Sequence, residues 1–307
     1  MRFSFSYPLV AHPQNPAFLT GAGMARLCRA AESAGFDAVG FTDHPAPTDR
    51  WLNAGGHDAL DPFVAFAYCA AATERLLLIP NILVLPYRNP FLVAKAVATL
   101  DALSGGRFVL AVATGYLRGE YKALGVDFEE RNDLFDEAIE VIRGVWSTDD
   151  YTFVGRHFEA PGQSANPKPA SLPPLWIGGN SRISRRRVAR YGDGWAPFVA
   201  PRKLATTAKT TPLETLEDLV GMLDVLWQFI DEAGRDRSTI DVAFSSGAGG
   251  DPASEDFEAE ARLEALAELT RAGVTWSGVA VPDDSIEHAI ETLERFGTTV
   301  IAPHRGG

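Results

Sequence analysis

Short apolar runs alternate with longer segments in which apolar positions recur every third or fourth residue, and this rhythm runs the length of the chain. The runs at residues 1–8, 36–42, 76–85, 107–113, 175–177, 193–198, 240–244 and 274–281 predict eight strands. Helical periodicity fills the gaps at residues 20–34, 62–73, 90–103, 129–146, 182–190, 212–233, 255–272 and 284–296, with Gly35 and Gly234 as stop signals. A short helical segment is expected at 120–124, and residues 151–158 alternate around Gly155 as a hairpin before the fifth strand. Residues 45–60 and 200–211 read as polar loops.

Eight strands alternating with helices predict an α/β fold, a (β/α)8 TIM barrel formed by one domain over residues 1–307, with inserted loops and the hairpin as decoration. A doubly wound open sheet is the competing architecture. It is disfavoured because the one glycine-rich candidate, Gly21-Ala22-Gly23, lacks a third glycine and follows a loop. In a barrel every strand end reaches the same rim, so residues far apart in sequence converge there.

The rim then holds the candidate chemistry. Asp43-His44 ends the second strand, and an imidazole exchanges protons near neutral pH. Thr114-Gly115-Tyr116 ends the fourth. The fifth runs into Gly178-Gly179-Asn180-Ser181, where two glycines allow close approach, Asn180 or Ser181 can cap the next helix, and free helix amides can meet an anion. An ordinary strand-to-helix turn explains the same residues. Five arginines between Arg182 and Arg190 cannot share one helix face, so most are expected in solvent. Trp51 and Trp195 are candidate walls for a substrate pocket, and Glu120 and Tyr121 are either polar contacts or a solvated helix face.

Composition narrows the partners. Of 307 residues, 46% are hydrophobic, and the formal net charge of -12 opposes nucleic acid and anionic membrane surfaces, leaving a small molecule as the expected partner. The most apolar window, near residues 76–87, contains Pro80 and Pro86 and is too short to span a membrane, and the N-terminal strand lacks a signal-peptide core, so a cytoplasmic protein is expected. Cys28 and Cys69 have no ligand spacing and are expected as buried thiols. Asp43, His44, His57 and Asp58 lie in one segment, but no other strand offers the further histidines of a barrel metal centre, and no metal is expected.

Several longer motifs carry a resemblance: Gly35-Phe36-Asp37-Ala38-Val39 leading to Asp43-His44, Leu85-Pro86-Tyr87-Arg88-Asn89-Pro90, Leu100 to Phe108, Gly115 to Gly125, and Trp176-Ile177-Gly178-Gly179. The chain resembles the bacterial luciferase-like family of flavin and deazaflavin barrel enzymes, and its strand-end Asp-His is similar to the branch that uses coenzyme F420. The resemblance implies F420-dependent hydride transfer between the deazaflavin C5 and a small organic substrate. It implies that Asp43 and His44 lie beside the deazaflavin and that Ile82, Leu83, Val84 and Leu85 back the ring, with a cis peptide at Ile82–Leu83. Thr114, Gly115 and Tyr116 would border the pocket, and Gly178, Gly179, Asn180 and Ser181 would hold the phosphate. His44 would exchange the proton, Asp43 would orient or polarise, and a homodimer is implied. Two departures matter: Tyr116 stands where the sugar-phosphate dehydrogenases of this family carry Glu, and their substrate-phosphate cations lack clear counterparts. The alternatives are an FMN-dependent monooxygenase fed by a separate reductase, and a flavin-binding protein without turnover.

Overall fold

The structure, a computed structural model, describes residues 1–306. Its strands are β1 (Arg2–Ser6), β2 (Ala38–Gly40), β3 (Leu77–Leu78), β4 (Leu83–Val84), β5 (Leu110–Ala113), β6 (Tyr151–Val154), β7 (Glu159–Gln163), β8 (Leu175–Gly178), β9 (Gly194–Ala196), β10 (Asp241–Val242) and β11 (Trp276–Val279). The helices are α1 (Gly21–Ser33), α2 (Asp49–Leu52), α3 (Pro62–Ala72), α4 (Pro90–Ser104), α5 (Arg118–Ala123) and α6 (Arg131–Ser147) in the first half. The second half adds α7 (Arg182–Tyr191), α8 (Arg202–Ala208), α9 (Leu216–Glu232), α10 (Ala259–Ala272), α11 (Ile286–Phe296) and α12 (Ala302–Gly306).

Two parallel sheets, ordered β11-β1-β2-β3 and β10-β9-β8-β5-β4, make up the TIM barrel. Single parallel bridges, Leu78 to Phe108 and Ala243 to Trp276, stitch one sheet to the other at both edges. Residues 76–85, one strand by their pattern, divide into β3, which pairs with β2, and β4, which pairs with β5. Pro80 sits in the break, where its missing N–H cannot serve a ladder. The chain there contains a cis peptide at Asn81–Ile82, one bond earlier than the Ile82–Leu83 position expected from the resemblance.

Three other expectations change. The hairpin is longer than residues 151–158, because Gly155 and Phe158 close its turn and β7 supplies the second strand, antiparallel to β6. The polar stretch 200–211 is not all loop: α8 occupies most of it, ending at Lys209 in a left-handed conformation (φ 50°). The chain also continues past Phe296, through a π-helical turn at Gly297–Ile301 into α12.

Most of the core lies between strands and helices, including Phe3, Phe66, Phe108, Phe135 and Val188. Cys28 of α1 and Cys69 of α3 meet within it, both buried, their sulfurs 3.4 Å apart. A smaller cluster, Ala38, Ile79, Val109, Ala111, Trp176 and Trp276, fills the barrel interior. The two indoles pack edge to face at 5.3 Å, an arrangement that aligns the positive ring edge with a negative ring face. Gly194 on β9 makes room for them, since a Cβ there would stand 2.4 Å from the Trp176 ring. Overpacking a filled core costs stability, so Gly194→Ala is expected to lower the unfolding free energy by about 1–3 kcal/mol, read from urea melts of the purified protein.

Candidate active site

The barrel mouth opens into a cavity of about 670 Å³, within the size range of ligand and cofactor sites. Its lining includes Asp43, His44, Ile82, Val84, Thr114, Gly115, Tyr116, Gly178, Gly179 and Ser181. Residues scattered over more than a hundred positions thus converge through the strand ends, the geometric reason being that all barrel strands point the same way.

Asp43 and His44 sit together but have different surroundings. The Asp43 carboxylate accepts a bidentate pair from Arg88, at 2.6 and 2.8 Å, and the Val84 amide at 2.8 Å, with 2% of the residue exposed. Burial pushes this carboxyl up from its ordinary value, and Arg88 and the Val84 amide pull it back. Its oxygens are engaged by protein, which makes Asp43 an anchor joining the end of β2 to β4 and the turn after it.

His44 faces the other way. Its Nδ1 lies 3.2 Å from Oε2 of Glu120, a residue of α5 that is 1% exposed. A carboxylate accepts, so Nδ1 carries the hydrogen and Nε2 is the free nitrogen. The Tyr87 hydroxyl donates to the same Oε2 at 2.9 Å, and the Ala46 amide to Oε1 at 3.3 Å. Burial, and then the Glu120 charge, raise the Tyr87 phenol far above its ordinary value, which keeps it a donor. Tyr116 is raised by burial and by Glu120 as well, against the neighbouring Trp51 indole, and remains a neutral phenol at the cavity wall.

Of the two readings of Glu120, polar contact or solvated helix face, the structure shows the buried polar contact. Leu117, Glu120, Tyr121 and Leu124 are spaced three and four apart, which places an acidic residue on an apolar helical stripe. His57 and Lys209 also line the cavity, Lys209 as the one Lys or Arg there among the described residues.

Other residues fall elsewhere. Ile82 and Val84 face the cavity, but Leu83 and Leu85 are fully buried in the core behind it, as alternation along extended chain requires. Trp51 lies behind His44, their rings 4.6 Å apart, and is not part of the cavity lining. Trp195, expected as a pocket wall, is fully buried and donates its indole N–H to the Gly179 carbonyl at 3.0 Å. Gly194 faces Trp176 in the barrel interior, so alternation turns the next residue, Trp195, to the core between strands and helices.

The cradle is built as the glycines suggest, with one substitution of roles. Ser181 caps α7, accepting the Ser184 amide at 3.1 Å, and both serines line the cavity. Gly179 holds φ +101°, and a Cβ on Gly178 would lie 2.3 Å from Ile82. Asn180, however, is completely buried and spends its amide on the Phe198 and Thr211 carbonyls and the Phe198 N–H. It fastens the loop opposite and offers no side-chain group to a ligand.

Three of the five arginines of α7, Arg182, Arg186 and Arg190, are exposed as expected, and the other two are fasteners. Arg187, buried, pairs with Asp136 of α6 at 2.7 and 2.8 Å, while buried Arg185 donates to the Asn180 carbonyl at 2.7 Å. Arg182 and Arg186 lie over the Phe229 ring of α9, and Arg190 bonds Glu140 of α6. Long side chains with apolar stems pack readily between helices while their heads find partners.

This barrel, with its cavity at the strand ends, belongs to the luciferase-like monooxygenase family, which matches residues 1–297. Across 173 residues the chain is 36% identical to the FMNH2-dependent dimethylsulfone monooxygenase of Pseudomonas fluorescens, covering 55% of this chain and 45% of that one. It is 34% identical over 170 residues to the F420-dependent hydroxymycolic acid dehydrogenase of Mycobacterium tuberculosis, covering 54% and 46%. The chain thus spans about half the length of these curated relatives. A monooxygenase from Streptomyces bottropensis superposes with a TM-score of 0.79 at 20% identity, over 99% of this chain and 100% of the other, which shows the shared fold. The relatives are oxidoreductases that use a flavin or a deazaflavin. No helix among the described residues is long and apolar enough to cross a membrane.

Removing one member of a buried ion pair leaves the other uncompensated. Asp43→Ala is therefore expected to cost about 3 kcal/mol of unfolding free energy, the lower part of the usual range because Asp61 lies 3.6 Å from Arg88 and stays as a partner. Denaturant melts of the variant and of Asp43→Ala/Arg88→Met measure it; equal stability of Asp43→Ala and the parent would refute the anchoring role.

Proposed function

We propose that the chain is an F420-dependent oxidoreductase that moves a hydride between the deazaflavin C5 and a small hydroxyl or carbonyl substrate. The observation that carries this reading is the His44–Glu120 pair at the cavity: an imidazole whose Nδ1 is held at 3.2 Å by a buried carboxylate, with Nε2 free for a substrate proton. The relatives that use F420 support the choice of cofactor.

The residues fit such a cofactor. Backbone amides at the start of α7, with Ser181 and Ser184, would form an anion seat, and Lys209, beside the Thr210 that bonds the Asn180 amide, adds positive charge to the cavity lining. Ile82 and Val84 give an apolar wall for a flat ring, and Gly115, at φ +65°, keeps clear a space where a Cβ would lie 2.5 Å from Val84. When bound, the deazaflavin supplies a hydride donor or acceptor.

The rest belongs to the chain. His44 takes the hydroxyl proton at Nε2 in the oxidative direction and returns it in the reductive one. Glu120 fixes the ring's tautomer and stabilises the charge that arises on it. Asp43 orients the segment through Arg88, and Tyr116 borders the substrate as a neutral phenol. Sugar phosphate is not the substrate expected here, because Tyr116 leaves the fourth strand end without a carboxylate.

A second reading, an FMN-dependent monooxygenase supplied by a separate reductase, draws on the 36% identity to the dimethylsulfone enzyme. Binding titrations with purified protein separate the two. Saturable F420 binding with much weaker FMN binding is expected, and tight FMN binding with no F420 affinity would overturn the proposal. His44→Ala is expected to keep F420 affinity within about threefold while losing about 100- to 10,000-fold in turnover with an accepted alcohol; a fully active variant removes His44 from the chemistry.

A further inference from the structure

The cavity has an apolar ledge that the proposed chemistry leaves unused. Phe198, Val199 and Leu204 line it and are 40%, 48% and 42% exposed. None of the three belongs to the hydrophobic clusters among the described residues. Single exposed apolar side chains need no explanation, but three gathered on the wall of one cavity offer a surface for an apolar group to cover.

The backbone beneath the ledge is fastened. The buried Asn180 side chain accepts the Phe198 N–H at 3.0 Å and donates to the Phe198 carbonyl at 2.9 Å. Two residues on, Ala200 exchanges both main-chain bonds with Leu213, at 2.8 and 3.0 Å, and both residues are fully buried. Leu204 stands on α8, whose end is closed by the Thr210 amide on the Ala205 carbonyl at 3.0 Å. The Thr210 hydroxyl in turn accepts the Asn180 amide at 3.3 Å. Anchors on either side of Val199 and at the end of α8 thus hold the ledge in place, so covering it costs little further ordering of the chain.

The charges around the cavity limit what the rest of the bound molecule can be. Lys209 is the one Lys or Arg of the lining among the described residues, and it adjoins the α7 cradle assigned to the cofactor phosphate. Asp43 is closed by Arg88, and Glu120 by His44, Tyr87 and the Ala46 amide. Burial lowers the His57 imidazole from its ordinary value and keeps it neutral at pH 7. On the strand side the polar lining is Ser4, Ser6, Thr42, Asn81 and Ser245, all uncharged. A carboxylate, phosphate or ammonium on the substrate would be desolvated there without a counter-charge.

We propose that the substrate is an uncharged alcohol or ketone with an apolar chain or ring of several carbons, its reacting carbon at His44 and its hydrocarbon laid on Phe198, Val199 and Leu204. The inference rests on the hydride-transfer reading for the reaction, while the binding it describes is measured without cofactor.

The test titrates methyl ketones of four, six and eight carbons into the full chain without cofactor, followed by ligand-observed NMR, with octanoate as the charged probe. Each methylene fully buried on apolar surface strengthens binding about three- to fourfold, so the parent is expected to gain at least about tenfold from the four-carbon to the eight-carbon ketone. Octanoate is expected to bind at least about tenfold more weakly than the eight-carbon ketone. Phe198→Ser/Leu204→Ser is expected to flatten the length series to about threefold or less and to leave the four-carbon ketone within about twofold of the parent. Both positions are exposed, and urea melts of the double variant check that it folds. Val154→Ser removes an 80% exposed apolar side chain on the hairpin, outside the cavity lining, and is expected to leave every affinity in place. A flat series or no ketone binding in the parent overturns the proposal, as does the parent's rise in the double variant or octanoate binding as tight as that of the eight-carbon ketone. Because no cofactor is present, these failures are distinct from a failure of F420 binding.

Discussion

The site depends on a carboxylate that cannot be left alone. Asp43 lies at the end of β2 with almost no exposure, and an ionised group there is tolerable only with partners. Arg88 and the Val84 amide supply them, and in doing so they tie three consecutive features of the rim together: the β2 end, the short β4 and the turn that carries Tyr87. His44 follows Asp43 directly, so its position inherits that constraint. The buried Glu120 then meets it from the far side. Two acidic groups of the same type thus divide the work by their neighbours, one closed off by a guanidinium and one left to an imidazole.

The entry to α7 shows a related economy. Buried Arg187 ties α7 to α6 and Arg185 ties it back to its own entry loop, while the exposed Arg182 and Arg186 lie over the Phe229 ring of α9. Buried Arg185 and Arg187 spend their charge on protein partners, and the Asn180 and Ser184 amides are taken by Thr210 and Ser181. Asn180 and Trp195 complete the support from behind, the first holding the loop across the mouth and the second holding the Gly179 carbonyl.

Much of this was readable before any coordinates. The alternation of β1, the glycine stops after α1 and α9, and the strand-end positions of Asp43, His44, Tyr116 and Gly178-Gly179 all follow from periodicity and turn chemistry, which are local properties. What periodicity does not carry is the partner across space. Asp43 and His44 look alike as polar rim residues until Arg88 and Glu120 arrive from forty-five and seventy-six positions away. The arginines of α7 divide in the same way: Arg182, Arg186 and Arg190 are exposed, as a charged helix face suggests, while the burial of Arg185 and Arg187 depends on partners such as Asp136 that only the neighbouring elements supply. Trp195 illustrates the limit in reverse, since a large aromatic at a strand end is equally suited to wall or core, and it is Gly194 facing Trp176 that turns it to the core. The break between β3 and β4 was visible only as Pro80.

The paired indoles of Trp176 and Trp276 make the barrel a blind tube. The cavity above that floor is reached from the rim, where the strand ends gather residues of distant segments. Such a shape is a cup: its floor is the indole pair, and the strand-end rim is its opening.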